Sequence, residues 1–207
     1  MRIIGTSFEI VGEVVPDEML KNIERAGRVC YKSEERITDN SAGSFIKRII
    51  SSGHESVIEH EKITLKIICD RGVSHEIVRH RIASYSQEST RYCNYAHDKF
   101  GNELTFIKPL FWEEDSEAFA IWKQQMQDIE DSYNKLIALG ATPEQARSIL
   151  PNSLKTEIVM TMNLRQWRNF LKMRTSIQAH PQMREISIPI LNHFKELLPP
   201  VFGDLSQ

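Results

Sequence analysis

The sequence predicts an α+β fold: a single domain over residues 1–207, with a central mixed sheet flanked by helices, one of them long. Three observations support it. Segments of period-two hydrophobicity interleave with segments of helical spacing, without the regular βαβ period of a doubly wound sheet. No internal repeat, low-complexity tract or Gly/Ser-rich linker divides the chain. With 207 residues, 41% hydrophobic and 26% charged, the chain can bury one substantial core without a disulfide or metal staple.

The elements follow in order. After an opening strand-like segment, Pro16-Asp17-Glu18 begins a helix with apolar Met19, Leu20, Ile23, Ala26 and Val29. Proline at the start and acids in the first turn suit a helix N-terminus. A second helical pattern runs from about Gly43 to Ile50 and stops near Gly53. Ile63, Leu65, Ile67 and Cys69 then alternate with Thr64, Lys66 and Ile68, the signature of a half-buried strand. Helical spacing returns from Val73, and Gly101 to Lys108 offers a short strand. The longest helix is expected over about Ser116–Leu139, with Phe119, Trp122, Met126, Ile129, Tyr133 and Leu136 on one buried stripe. Thr142-Pro143-Glu144-Gln145 is a strong start signal for a helix that carries Arg147 and ends at Pro151. Thr156–Met162 reads as strand and Leu164 to about Arg174 as helix; a last helix from about Met183 to Leu198 is halted by Pro199-Pro200.

Charge and cysteine content narrow the function classes. A net charge of −2 argues against a general nucleic-acid coat, though it leaves room for a local basic site. Cys30, Cys69 and Cys93 are far apart and odd in number, so a disulfide framework or cysteine zinc site is not expected. The start lacks the apolar run of a signal peptide, and no stretch approaches the ~20 apolar residues of a membrane span. A reduced, cytoplasmic setting without membrane contact is the expectation. His54-Glu55 does not complete a zinc-peptidase motif, because position 58 is Ile58. His54, His60, His75 and His80 fix no ligand geometry, so no metal is expected.

The chemistry concentrates in Arg79-His80-Arg81-Ile82-Ala83-Ser84-Tyr85-Ser86-Gln87-Glu88-Ser89-Thr90-Arg91-Tyr92. Neighbouring side chains on a helix project about 100° apart, so Arg79, His80 and Arg81 must reach different groups. Arginine forks suit phosphate or carboxylate oxygens, and the hydroxyls and amides that follow suit the polar edge of a base or ring. No Gly-x-Gly-x-x-Gly run exists, so any dinucleotide would be held by arginines and backbone groups instead.

Arg79-His80-Arg81, seven intervening residues, then Ser89 resembles the signature of the flavin-dependent thymidylate synthases. The resemblance extends upstream to His54-Glu55-Ser56-Val57-Ile58-Glu59-His60. Downstream it takes in Ala146-Arg147-Ser148-Ile149-Leu150-Pro151, Asn163-Leu164-Arg165, Asn169-Phe170-Leu171 and Arg174, from about Pro16 to Leu198 in all. It implies an α+β homotetramer with sites shared between subunits. The reaction implied is reductive methylation of dUMP to dTMP, with methylenetetrahydrofolate as carbon donor and NADPH-reduced FAD as hydride source. By position, Ser56, Arg79, His80, Arg81, Gln87, Asn163, Leu164, Arg165 and Asn169 match flavin-contacting residues. Glu76, Arg79, Gln87, Glu88, Ser89, Thr90, Arg91, Arg147 and Arg174 match nucleotide-holding ones, with Arg174 placed against the uracil as the catalytic group.

The chain departs from the family's commonest wording at Ser86-Gln87-Glu88, where many members carry Asn-Glu two and three places before the motif's last Ser. A neutral amide at Gln87 can still bond a flavin or uracil edge. Ser89 is expected to position substrate rather than attack it, since a nucleophilic serine needs a base within reach. Two rival readings stay open from sequence. One is a nucleotide- or RNA-binding module with Tyr85, Tyr92 and Tyr95 as stacking faces. The other is a flavoenzyme that methylates uracil within RNA.

Overall fold

The computed structural model describes residues 1–96, 101 and 103–206. The strands are β1 (Arg2–Ile4), β2 (Ser7–Ile10), β3 (Lys62–Asp70), β4 (Ser84–Gln87), β5 (Thr105–Ile107) and β6 (Lys155–Asn163). The helices are α1 (Pro16–Val29), α2 (Ala42–Ser51), α3 (Arg71–Ile77), α4 (Glu117–Ala138), α5 (Pro143–Ala146), α6 (Leu164–Arg174), α7 (Pro181–Leu197) and α8 (Pro199–Phe202). The α+β reading holds, with the strands in two sheets: a parallel pair β1-β5 and a four-stranded sheet in the order β2-β3-β6-β4.

The two long strands show why the period-two pattern is informative. Ile63, Leu65, Ile67 and Cys69 of β3 are buried, as are Thr156, Ile158, Met160 and Met162 of β6, while intervening residues are less covered. Alternate side chains project to opposite faces, so one apolar set lines one face.

The chain clusters into two compact units. The first comprises Met1–Ser7, Ile67–Arg79 and Ser86–Ile158. Its core packs the α4 stripe of Phe119, Trp122, Met126 and Tyr133 with Leu104, Phe106 and Leu154. The carboxylate of Glu130 is buried on α4 but satisfied, by the amino terminus at 2.7 Å and the Leu104 N–H at 2.6 Å.

The second unit comprises Phe8–Lys66, His80–Tyr85 and Val159–Gln207. Trp167 of α6 lies edge-on to Phe170 (5.6 Å) and Phe194 (5.2 Å), and its indole N–H donates to the Ile63 carbonyl at 3.0 Å. α1 and α2 meet closely at Gly27, where a Cβ would fall 2.6 Å from the Phe45 ring.

Several elements differ from expectation. The four residues of β4, Ser-Tyr-Ser-Gln, carry no apolar alternation, so the sequence offers no strand there, yet the segment is one. The Thr142 signal is correct, with a complete capping box, but α5 ends at Ala146 and a 3-10 turn over Arg147–Ile149 follows. Pro199-Pro200 does stop α7, and the same prolines open α8, where a missing N–H costs nothing. The strand expected over Gly101–Lys108 is Thr105–Ile107, and Asn102 lies outside the described residues.

Candidate active site

In the first unit, Glu76–Arg79 and Ser86–Arg91 are organised by buried polar anchors. Asp70 caps α3 by accepting from the Val73 N–H at 2.7 Å, which sets the helix that carries Glu76. The Arg79 N–H closes the turn after α3 onto the Glu76 carbonyl at 3.2 Å, leaving the Arg79 side chain exposed. At the end of β4, the Gln87 amide donates to Ser74 Oγ (2.9 Å) and Thr156 Oγ1 (3.2 Å).

Glu88 is the hub of this unit. Oε1 accepts from the Tyr95 hydroxyl at 2.9 Å; Oε2 accepts from Lys155 Nζ at 3.0 Å and the Glu157 N–H at 3.2 Å. Burial works against the Lys155 charge, but hydrogen bonds to Glu157 and Glu88 outweigh it and raise the ammonium pKa. Burial, reinforced by Glu88, also raises the Tyr95 phenol. Sequence reading missed Lys155, Glu157 and Tyr95 in this role. The same-face spacing of Lys155 and Glu157 in β6 is a signal, but it cannot name Glu88 as their partner.

Arg91 and Arg147 of this unit stand outward. Ser89 Oγ accepts from the Arg91 N–H at 3.2 Å in a local turn, and Thr90 is buried beside it. Arg91 pairs with Glu144 at 3.2 Å, each side chain 52% exposed, and reaches over the Tyr92 ring. Glu144 lies on α5, which ends immediately before exposed Arg147. The structure thus draws Arg91 toward the segment bearing Arg147. Cys69 is inert at neutral pH, its thiol pushed up to about 12 by burial and by Asp70.

In the second unit, His80 is buried while Arg81 is exposed, so the motif divides between interior and surface. The His80 ring meets Phe170 edge-on at 4.8 Å, and its Nε2 lies 2.9 Å from Arg174 Nε. Arginine is a permanent cation with donors only, so His80 Nε2 accepts and the ring proton is on Nδ1. Burial, then the Arg174 charge, lowers the His80 pKa from 6.5 to about 4. The imidazole is therefore neutral at physiological pH. The Tyr85 hydroxyl donates to the His80 carbonyl at 2.7 Å, fixing the backbone on which the ring sits.

Arg174 closes α6, and α7 satisfies the end of that helix. Ser187 Oγ donates to the Arg174 carbonyl at 2.7 Å and Arg184 Nε to the Thr175 carbonyl at 3.2 Å. At the other end, Asn163 caps α6 by accepting from the Gln166 N–H at 2.8 Å. Leu164 is fully buried, its N–H held by the Glu61 carbonyl at 2.9 Å. Arg165 pairs with Glu59 at 2.5 Å.

A cavity of about 750 Å³ opens at this end of α6, lined by Asn163, Arg165, Asn169, Lys172, Glu59 and Ile82. Exposed Ser56 sits on the 3-10 turn Glu55–His60, which supplies Glu59 to the wall. The wall also holds Arg168, which sequence reading missed. It is buried, pairs with Asp204 (2.6 Å) and Glu55 (3.1 Å), and donates to the Val201 carbonyl.

The sequence and fold match known proteins over most of the chain. A family model described as thymidylate synthase complementing protein matches residues 14–200. The chain belongs to this family, that of the flavin-dependent thymidylate synthases, and is an enzyme. The flavin-dependent thymidylate synthase of Pyrococcus furiosus is 39% identical over 166 residues, covering 80% of this chain and 67% of that relative. That of Geobacter sulfurreducens is 34% identical over 186 residues, covering 86% and 78%. In fold, the chain resembles the UMP/dUMP methylase PolB from Streptomyces cacaoi, solved bound with 5-Br dUMP. That likeness has a TM-score of 0.80 at 22% identity, over 98% of this chain and 96% of the other.

Proposed function

We propose that the chain converts dUMP to dTMP by reductive methylation, with FAD as cofactor, methylenetetrahydrofolate as carbon donor and NADPH as electron source. Arg174, rather than a cysteine, activates the uracil. Family membership and the nucleotide named for the PolB structure support the substrate class. The observation that carries the role of Arg174 is its hydrogen bond to a neutral, buried His80.

A carboxylate in that position would neutralise the guanidinium as it held it. A neutral imidazole fixes Nε without adding a negative charge of its own. Uracil becomes nucleophilic at the carbon to be methylated only when negative charge on its ring nitrogen and flanking carbonyls is stabilised. A preorganised cation supplies that stabilisation in a water-poor site.

The α6 cavity fits an anionic, hydrogen-bonding cofactor. Lys172, and Arg165 once it exchanges its exposed partner Glu59, supply cations for a pyrophosphate, and Asn163 and Asn169 supply amides for polar edges. The backbone N–H groups at the start of α6 carry the positive end of the helix dipole. Bound there and reduced by NADPH, the flavin would supply a hydride, which no side chain can provide. By their place in the motif and its flanking matches, Ser56, Arg79, His80, Arg81, Gln87 and Leu164 are assigned to the flavin as well, although none of them lines this cavity. For the nucleotide, Arg91 and Arg147 are the phosphate-binding cations, while Glu76, Gln87, Glu88, Ser89 and Thr90 shape the surface that orients it. The protein works in the cytoplasm as a homotetramer whose subunits share sites.

Anaerobic turnover with FAD, NADPH, methylenetetrahydrofolate and either dUMP or transfer RNA tests the reading. Formation of dTMP from the free nucleotide is expected, and product found only in RNA would replace this function with RNA methylation. Mixing inactive variants altered at Arg79 and at Asn163 tests sharing. Regained activity is expected, and none in verified mixed oligomers would contradict it.

A further inference from the structure

A second cavity, of about 350 Å³, lies in the second unit between the end of α1, the start of the 3-10 turn Glu34–Arg36 and the face of α2. Its charged lining is Arg28, Lys32, Arg36 and Arg48 against the single acid Glu35. Arg28 is neutralised, its guanidinium held by Glu24 at 2.7 Å, and Arg36 has an exposed partner in Glu35 at 3.4 Å. Lys32 and Arg48 have no acidic partner among the described residues. Both Arg28 and Arg48 also approach the one ring of Phe45, at 4.5 and 5.6 Å to its centre, so like charges are gathered rather than spread.

The backbone points the same way. α1 ends in a Schellman motif, with Ser33 N–H on the Arg28 carbonyl (3.2 Å) and Lys32 N–H on the Val29 carbonyl (3.3 Å). That motif places Lys32 at the left-handed position, φ 47°, where glycine is the unstrained choice. Among the described residues Lys32 is the only non-glycine residue with positive φ. A strained backbone that presents a lysine to a basic cavity is the kind of local cost that persists where the side chain has a function. The cavity is also lined by His54, whose Nδ1 lies 3.2 Å from the Tyr31 hydroxyl, two residues before Ser56.

We propose that this cavity is an anion site that takes the charged tail of a co-substrate whose reacting end lies at the flavin. The shared chemistry is a cluster of anionic oxygens, met by Lys32, Arg36 and Arg48. This rests on the co-substrates proposed above, and two sources fit it: the glutamate carboxylates of the folate, or the extra phosphate that distinguishes NADPH from NADH.

The test compares wild type with Lys32→Gly and Arg48→Gln. KM is measured at low salt for methylenetetrahydrofolate with one and with five glutamates, and for NADPH against NADH. Each substitution removes a charge-assisted hydrogen bond, so KM should rise about ten-fold for the more anionic member of one pair and by clearly less for its counterpart. The pair that responds names the source. Inorganic tripolyphosphate, read by thermal shift, provides a probe independent of turnover: it should stabilise wild type and lose that effect in both variants. Lys32→Gly should hold Tm or raise it by about 2 °C, because glycine relieves the left-handed strain, so lost binding cannot come from misfolding. Active enzyme in which neither pair responds and tripolyphosphate stabilises all three proteins alike would overturn the site. Absence of dTMP with tripolyphosphate binding lost in the variants would instead overturn the proposed reaction and leave the anion site standing.

Discussion

One charged pair of the first unit and two ionisable groups of the second are held in opposite ways. In the first, Arg91 and its partner Glu144 are each half exposed, and Arg147 follows a helix of one turn. In the second, His80 and Arg168 are each 6% exposed and fully engaged by neighbours. An exposed pair contributes little, so Arg91 can exchange Glu144 for a phosphate at small cost. Buried polar groups keep their partners, so the direction of Arg174 is set before any ligand arrives. Gripping an anion and polarising a ring, the roles proposed for Arg91 and Arg174, call for these different settings.

The contrast can be broken by substitution. Arg174→Ala should have the largest effect, lowering dTMP formation by about 100- to 1000-fold, as removal of a preorganised donor does elsewhere. FAD should stay bound, checked by flavin absorbance after desalting. Arg168→Ala strands Glu55 and the Val201 carbonyl, and should destabilise the protein by about 3 kcal/mol in urea unfolding. The effect of pH comes next. Between pH 6.5 and about 4 the unfolded chain binds a proton at His80 that the folded protein refuses. Stability from this group is therefore complete above pH 6.5 and is lost as pH falls toward 4, by roughly 1 to 3 kcal/mol. His80→Gln, which keeps an acceptor for Arg174, should flatten that slope in unfolding curves taken across the range. The smallest change in stability belongs to Arg91→Ala, at about 0.5 kcal/mol or less. Its KM for dUMP should still rise about ten-fold. Equal destabilisation by Arg91→Ala and Arg168→Ala would erase the distinction between the two settings.

Local patterns are legible where local physics decides them. The alternation in β3, the stripe of α4 and the Thr142-Gln145 cap each depend on residues a few positions apart, and each stands in the structure. β4 is not legible, because its pairing rather than its composition makes it a strand. The site follows the same rule. The motif marks His80 and the downstream match marks Arg174, yet nothing in a one-dimensional pattern says that residues 94 positions apart share a hydrogen bond. Glu88 with Lys155 and Arg168 with Asp204 are invisible for the same reason: ordinary charged residues become anchors only through partners supplied by distant elements.

The protonation of His80 tests the central claim most directly. Nitrogen-15 NMR of histidine-labelled protein, assigned with His80→Gln, reads both its tautomer and its titration. The hydrogen bond to Arg174 requires a neutral ring protonated on Nδ1, with Nε2 unprotonated, and a midpoint near pH 4. A proton on Nε2 at pH 7 would show that the imidazole does not hold the guanidinium, and a midpoint at the ordinary 6.5 would show that burial and the Arg174 charge do not act on the ring.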